Sequence, residues 1–488
     1  MSPSSVPNGT SGPSLRNGST VHHAEEASSF NHDHSSSASP PVLIAIVGMS
    51  CRFSGDVNSP EKLWELCEAC KDGWSPIPEA RFDIKSLYHP DKEKQGRTHV
   101  VGGYFLNEDV ALFDAAFFNF SGEVASSTDP QFRLLLEAVY EATEDAGMPI
   151  EKLAGSNTSV FTGCFNKDYH ELQTKDPEVL PHSFMADTGT AMHSNRISHF
   201  YDLQGPSTSI DTGCSAGLVA LHQGCQSIRC GESNISVVGA ASTLLSPDSF
   251  IAASSLGALG GDGRCYAWDT RAQGFGRGER VAALIPKPLD AALKDGDHVH
   301  AAIRESGVNQ DGKTTTISSP SADAQIKLIQ ECYKRAGLDL SDTGYVEAHM
   351  TGTPAGDPIE AAALASTFGK SRATHDPIIV GSVKTNVGHT EPVSGLAAVI
   401  KAAFVLKNGL IPPNLNYEKT NPSIHLKEWR VDGIDPMAPG QGASRFYQPH
   451  IIMEPAPKTH AKLNGALPSE NGTQDSGKSH IYIFSAKH

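Results

Sequence analysis

An α/β fold, with its sheet covered by helices on both faces, follows from three features of the 488-residue sequence. Short continuous apolar runs rich in β-branched residues, such as Val42-Leu-Ile-Ala-Ile-Val47, read as strands buried on both faces. Segments of helical periodicity carry their own start and stop residues, and strands and helices alternate along most of the chain. The longest apolar stretches, such as 396–406, are broken by lysine and too short to span a bilayer.

Residues 1–40 are rich in Ser, Asn, Gly, Pro and His, cannot bury enough surface to fold, and are expected to form a disordered tail. His22, His23, His32 and His34 there read as solvated polar residues rather than metal ligands. Order begins with the strand 42–47, ended by Gly48. A helix at 60–71 encloses Cys67-Glu-Ala-Cys70, a CxxC without the second pair that structural zinc requires. Asp129 as N-cap, Pro130 at the first helical position and Gly147 past the end delimit the next helix. Then come the strand Thr158–Gly163, a helix near 190–200, the strand Ser207–Ile210, a helix from Ser215 that stops at Gly231, and a strand at 235–239. A second series follows: strands at 281–285 and 298–305, a helix at 321–336 ended by Gly337, and a strand at 345–349. Asp357, Pro358 and Glu360 stand at N-cap, N1 and N3 of a further helix, a capping-box arrangement. A strand at 377–382 and a helix at 393–408 closed by Gly409 complete the series.

A formal charge of -16 argues against nucleic acid or an anionic membrane as partner, leaving a small molecule or a protein. Nine irregularly spaced cysteines and no secretory apolar region at the N-terminus point to reduced thiols and a cytoplasmic setting.

Chemistry concentrates at three junctions where a strand gives way to a helix. In Gly205-Pro-Ser-Thr-Ser-Ile-Asp-Thr-Gly-Cys-Ser215, Cys214 stands at the start of a helix, whose positive end and free N–H groups favour a thiolate. Locally, a buried structural cysteine and a nucleophile are equally good readings of that residue. His349 and His389 sit just beyond strand ends, where ligands of α/β folds bind. Singly, each reads as a helix cap or a polar core residue. Together with Cys214 they suit a reaction that builds negative charge on a thioester carbonyl.

Asp211-Thr-Gly-Cys214-Ser, Glu347-Ala-His349-Met-Thr-Gly-Thr353-Pro-Ala-Gly-Asp-Pro-Ile-Glu360 and Gly381-Ser-Val-Lys384-Thr-Asn-Val-Gly-His389-Thr-Glu391 resemble the three signatures of β-ketoacyl synthases. Their texture is that of the ketosynthase domain of fungal highly reducing type I polyketide synthases, here as a truncated stand-alone chain. Asp129-Pro-Gln, Gly189-Thr-Ala-Met-His-Ser-Asn-Arg196, Tyr266-Ala-Trp-Asp and Gly307-Val-Asn-Gln-Asp-Gly312 match the same domain. The resemblance implies a thiolase-like fold, two similar αβα halves in a five-layer αβαβα sandwich, usually dimeric. On that basis 41–290 is the half carrying the nucleophile, 291–456 the half carrying the two histidines, and 457–488 a linker-like tail. It further implies that Cys214 takes an acyl chain as a thioester, while His349 and His389 stabilise the enolate formed as a malonyl thioester loses carbon dioxide. Lys384 would position the histidines with Glu391 as its charge partner, and Thr351 and Thr353 would hydrogen-bond the pantetheine. No bound cofactor and no metal are expected. Phosphopantetheine-linked acyl substrates would come from an acyl-carrier protein or a larger polyketide synthase acting in trans.

The sequence departs from the family pattern in four places. Gly213 precedes the cysteine where the family has Ala, with Ser215-Ala-Gly217 after it. Met350 follows the first histidine in place of Gly, which is expected to strain the loop or narrow the channel. Arg280 replaces a Gly. Near the C-terminus, Gly442-Ala-Ser-Arg-Phe446 runs directly into Tyr447-Gln-Pro-His450, without the glycine-rich loop that supplies an oxyanion donor in the family. Met350 and the missing loop support an alternative, a catalytically weak or inactive ketosynthase-like protein that binds a carrier protein or partner synthase. A thiolase-like enzyme using coenzyme A is a third reading, weakened because no cysteine follows Cys332.

Overall fold

The computed structural model describes residues 42–370, 372–433, 453–455 and 480–483. The tail 1–40, the junction at 442–450 and the stretch 457–479 lie outside the described residues, together with what the sequence led us to expect of them. In chain order the principal elements begin with β1 (Ile44–Arg52), α1 (Pro60–Glu68), α2 (Pro130–Asp145), β2 (Thr158–Gly163), α3 (Met192–Tyr201) and β3 (Ser207–Ile210). Next are α4 (Ala216–Arg229), β4 (Ile235–Ser242), β5 (Arg280–Pro288), β6 (Ala301–Ile303), α5 (Ala322–Ala336) and β7 (Thr343–Glu347). Last come α6 (Gly356–Leu364), β8 (Ile378–Gly381), α7 (Ser394–Asn408), β9 (Val431–Gly433), β10 (Met453–Glu454) and β11 (His480–Ile483).

The strands form one mixed sheet in the order β3-β2-β4-β5-β1-β6-β10-β11-β7-β8-β9. β1 joins its two halves, pairing antiparallel with β5 on one side and β6 on the other. The pairing with β5 shifts register between Ile46 and Gly48, so β1 continues through Gly48 where the sequence suggested an end. That bulge keeps Ile44, Ile46, Met49 and Cys51 on one face, while Ala45 and Val47 face the other. Gly48 is required because a Cβ there would come within 2.1 Å of the Ala142 carbonyl oxygen of α2.

Three apolar clusters define the layers. α2 and α3 cover the outer face of the first half-sheet. α1, α4 and α7 form the shared middle with the inner faces of both half-sheets, and α5 and α6 cover the outer face of β7 and β8. Alternation in the strands explains this: Tyr345 of β7 enters the middle cluster and its neighbour Val346 the outer one. α7 is buried nearly all round, including Lys401, as the middle layer requires.

Two further expectations change. α1 ends at Glu68, so Cys67 lies in the core while Cys70 falls beyond the helix, exposed and in a left-handed conformation. His480–Ile483, expected within the linker-like tail, stands inside the sheet as β11, because alternating Ile481 and Ile483 bury themselves in the middle cluster.

Candidate active site

Cys214 lies in the turn from β3 to α4. Gly213 occupies the left-handed region (φ +64°), which glycine adopts at little cost, and its N–H donates to Asp211 Oδ1 at 3.1 Å. Ser215 is the N-cap of α4, so the thiol sits one residue before the helix rather than in its first turn. The expected thiolate is not favoured. Burial pushes the thiol up to about 12, the Glu391 carboxylate adds to the rise, and Lys384 opposes it. Desolvation is the largest of these influences and favours the neutral thiol.

That thiol has an acceptor. His389 Nε2 is 2.9 Å from Cys214 Sγ, and His389 Nδ1 is 3.1 Å from the hydroxyl of Ser394, the first residue of α7. Ser394 Oγ also accepts from Thr390 Oγ1 at 3.2 Å. In the tautomer that places hydrogen on Nδ1, donated to Ser394, Nε2 can accept the thiol proton. The ring is held edge-on to Phe275 at 4.8 Å between centroids, and its backbone N–H donates to Gly276 O at 2.7 Å. His349 stands on the other side, its ring 5.3 Å from that of His389 and nearly perpendicular. Sequence-distant Cys214, His389 and His349 are thus brought into one site, with both histidines buried.

Buried carboxylates fix the His349 loop. Glu360 of α6 accepts the backbone N–H groups of His349 at 2.7 Å and Met350 at 2.8 Å. Asp357 accepts from Gly352, Thr353 and Trp268. The expected capping box therefore does not form. The helix starts at Gly356 with Ala355 as its N-cap residue, and both acidic side chains turn back onto the loop, whose unpaired N–H groups are the better donors in the interior. Burial raises both carboxyls to about 7, against these hydrogen bonds.

Lys384 is buried at the start of the short helix Lys384–Val387; burial lowers its pKa, and the Glu347 and Glu360 carboxylates act in the opposite direction. Glu391 is not its partner. The Glu391 carboxylate is engaged by Arg277, Nε to Oε1 at 2.6 Å and Nη2 to Oε2 at 3.1 Å, a bidentate pair in which both side chains are buried. The planar guanidinium fits the carboxylate fork, and a backbone bridge between Arg277 and His389 brings it alongside.

Thr351 Oγ1 is buried with no hydrogen-bond partner among the described residues, whereas Thr353 Oγ1 accepts from Gly356 N–H at 3.2 Å. Met350 has φ +25°, the strain expected where a glycine was replaced, but its side chain packs in the outer cluster with Val346 and Leu364 and not into a channel. Arg277, Phe275 and Ser394 were missed in the sequence; the one available signal was a charged residue inside the glycine-rich run Gly274-Phe-Gly-Arg-Gly278.

Residues 43–292 match the β-ketoacyl synthase N-terminal domain and residues 300–418 its C-terminal domain. The chain belongs to the β-ketoacyl synthase family. A highly reducing polyketide synthase of Leptosphaeria maculans is 53% identical over 91% of this chain, and the compactin diketide synthase of Penicillium citrinum is 49% identical over 91%. The chain spans 18% of the length of each. Among solved structures, an oxazolomycin ketosynthase domain of Streptomyces albus superposes with a TM-score of 0.77 at 33% identity, covering 83% of this chain and 69% of that one. The ketosynthase from module 6 of the bacillaene synthase of Bacillus subtilis gives 0.72 at 34% identity, covering 80% of this chain and 66% of that one. The ketosynthase fold is therefore thiolase-like, as the five layers indicate. No helix among the described residues is long and apolar enough to cross a membrane.

Proposed function

We propose that this ketosynthase joins carbon units in polyketide biosynthesis by decarboxylative Claisen condensation. The observation that carries the proposal is the 2.9 Å approach of His389 Nε2 to Cys214 Sγ with His349 beside it. In the first half-reaction the thiol proton passes to Nε2, sulfur attacks the acyl thioester carbonyl, and the pantetheine thiol leaves with a proton. In the second, the carboxylate-bearing C–C bond of a malonyl thioester breaks to give carbon dioxide and an enolate, whose oxygen is held by His349 and His389. The enolate carbon attacks the Cys214-bound carbonyl, a C–C bond forms, and the cysteine thiolate leaves and takes a proton from solvent. Lys384, whose charged form the Glu347 and Glu360 carboxylates favour against burial, would position the histidines.

The unpartnered hydroxyl of Thr351 suits a hydrogen bond to the pantetheine arm of a carrier protein acting in trans, and Thr353 would lie beside it. A homodimer is supported by β3, an edge strand that pairs only with β2 among the described residues and leaves backbone groups open on its other side. A cytoplasmic setting is supported by the absence of disulfides among all nine cysteines. Mass spectrometry after incubation with an acyl thioester, then with a malonyl-carrier protein, tests the reading. Acylation of Cys214 followed by chain extension is expected; a folded protein that is never acylated would overturn it in favour of a binding role.

A further inference from the structure

We propose that β11 is a positioning strand: the segment His480–Ile483 fills a slot in the second half-sheet between β7 and β10, and its presence there fixes the strand that presents His349. β7 and β10 do not pair with each other; β11 lies between them, parallel to β7 and antiparallel to β10. Without it, both strands would carry unpaired backbone groups in the interior. The register sets Ile481 opposite Tyr345 and Ile483 opposite Glu347, two residues before His349. Those partners belong to a buried charged cluster. Glu347 accepts from Val383 N–H at 2.5 Å and Tyr345 Oη at 2.5 Å, and pairs with Lys401 at 2.8 Å. Glu347 and Lys401 are both essentially inaccessible to solvent, so the cluster depends on a wall that excludes water. Ile481 and Ile483 form part of that wall, packed with α7.

The segment thus acts on the chemistry from the side of β7 that β8 does not cover. This inference rests on the proposed acyl transfer only for its kinetic readout. The test is hydrogen exchange with mass spectrometry on the full chain, with Cys214 acylation measured on the same samples. In the parent protein, 480–483 and 343–347 are expected to exchange at least a hundredfold more slowly than unstructured peptide. Ile481→Asp with Ile483→Asp is expected to release 343–347 while 158–163 in the other half stays protected, and to slow acylation at least tenfold. A synthetic peptide of residues 478–488 should restore both, and Ile481→Val with Ile483→Val should behave as the parent. Should the double aspartate variant lose protection at 158–163 as well, the milder Ile483→Ala replaces it. Exchange of 480–483 at the unstructured rate in the parent overturns the proposal, and so does unchanged acylation once 343–347 is released. If the parent is protected as expected but never acylated, the acyl-transfer reading fails and the strand assignment stands.

Discussion

The two halves hold their reactive groups by different physics. In the first, Cys214 is placed by backbone: a left-handed glycine, an Asp211 side chain on the turn, and a helix starting one residue later. In the second, His349 and His389 are placed by charge: Glu360 on the loop, Glu391 against Arg277, and Glu347 against Lys401. A turn built from small residues tolerates side-chain changes around it but fixes one atom in space. A loop tied by buried carboxylates is sensitive to the loss of a single charge and to pH.

That contrast can be broken at either end. The largest effect belongs to the nucleophile: Cys214→Ala abolishes acyl labelling in the mass spectrum while leaving the melting temperature near that of the parent. Persistent labelling would mean that another residue is the acyl acceptor. Next is Glu391→Gln, which strands the buried Arg277 guanidinium and is expected to cost about 3–5 kcal/mol in denaturant unfolding. Because Glu391 also helps to raise the Cys214 thiol, alkylation of that thiol should begin at lower pH in the variant.

Met350→Gly sets strain against packing. Relief of the left-handed conformation offers about 1–2 kcal/mol, and loss of the buried side chain removes roughly 2–5 kcal/mol. The expected net loss is about 1–3 kcal/mol by thermal melting, with acylation unchanged since the side chain faces the core. The last effect is the pH slope. Asp357 and Glu360 are held at about 7, above their usual carboxyl range, so they bind protons more tightly folded than unfolded. Their contribution is complete below the unfolded pKa near ~4 and is lost as pH rises through about 7. Stability should therefore fall across that window, and Glu360→Gln should flatten the slope in a pH series of urea titrations.

Local rules made much of this legible. Asp129, Pro130 and Gly147 bracket α2, and Gly337 and Gly409 close α5 and α7, because caps and left-handed stops are written within a few residues. The strand-to-helix junctions carrying Cys214, His349 and His389 were visible for the same reason. What escaped was long-range. Glu391 finds Arg277 more than a hundred residues away, and no local rule prefers that partner to the nearer Lys384. Asp357 and Glu360 obey the capping pattern in sequence, yet bind the loop before them, because the fold leaves its N–H groups without water. β11 is four residues in a polar stretch, and only the waiting neighbours β7 and β10 make it a strand.

The central place of β1 also bears on how the chain is made. It is the first of the described strands in chain order, yet both of its neighbours, β5 and β6, lie more than two hundred residues further on. At ~5–20 residues per second, that is a wait of about 10–50 s. Throughout it a strand of Ile, Val and Met has neither hydrogen-bond partner in place, so residues 44–52 need shielding from other chains until β5 and β6 arrive.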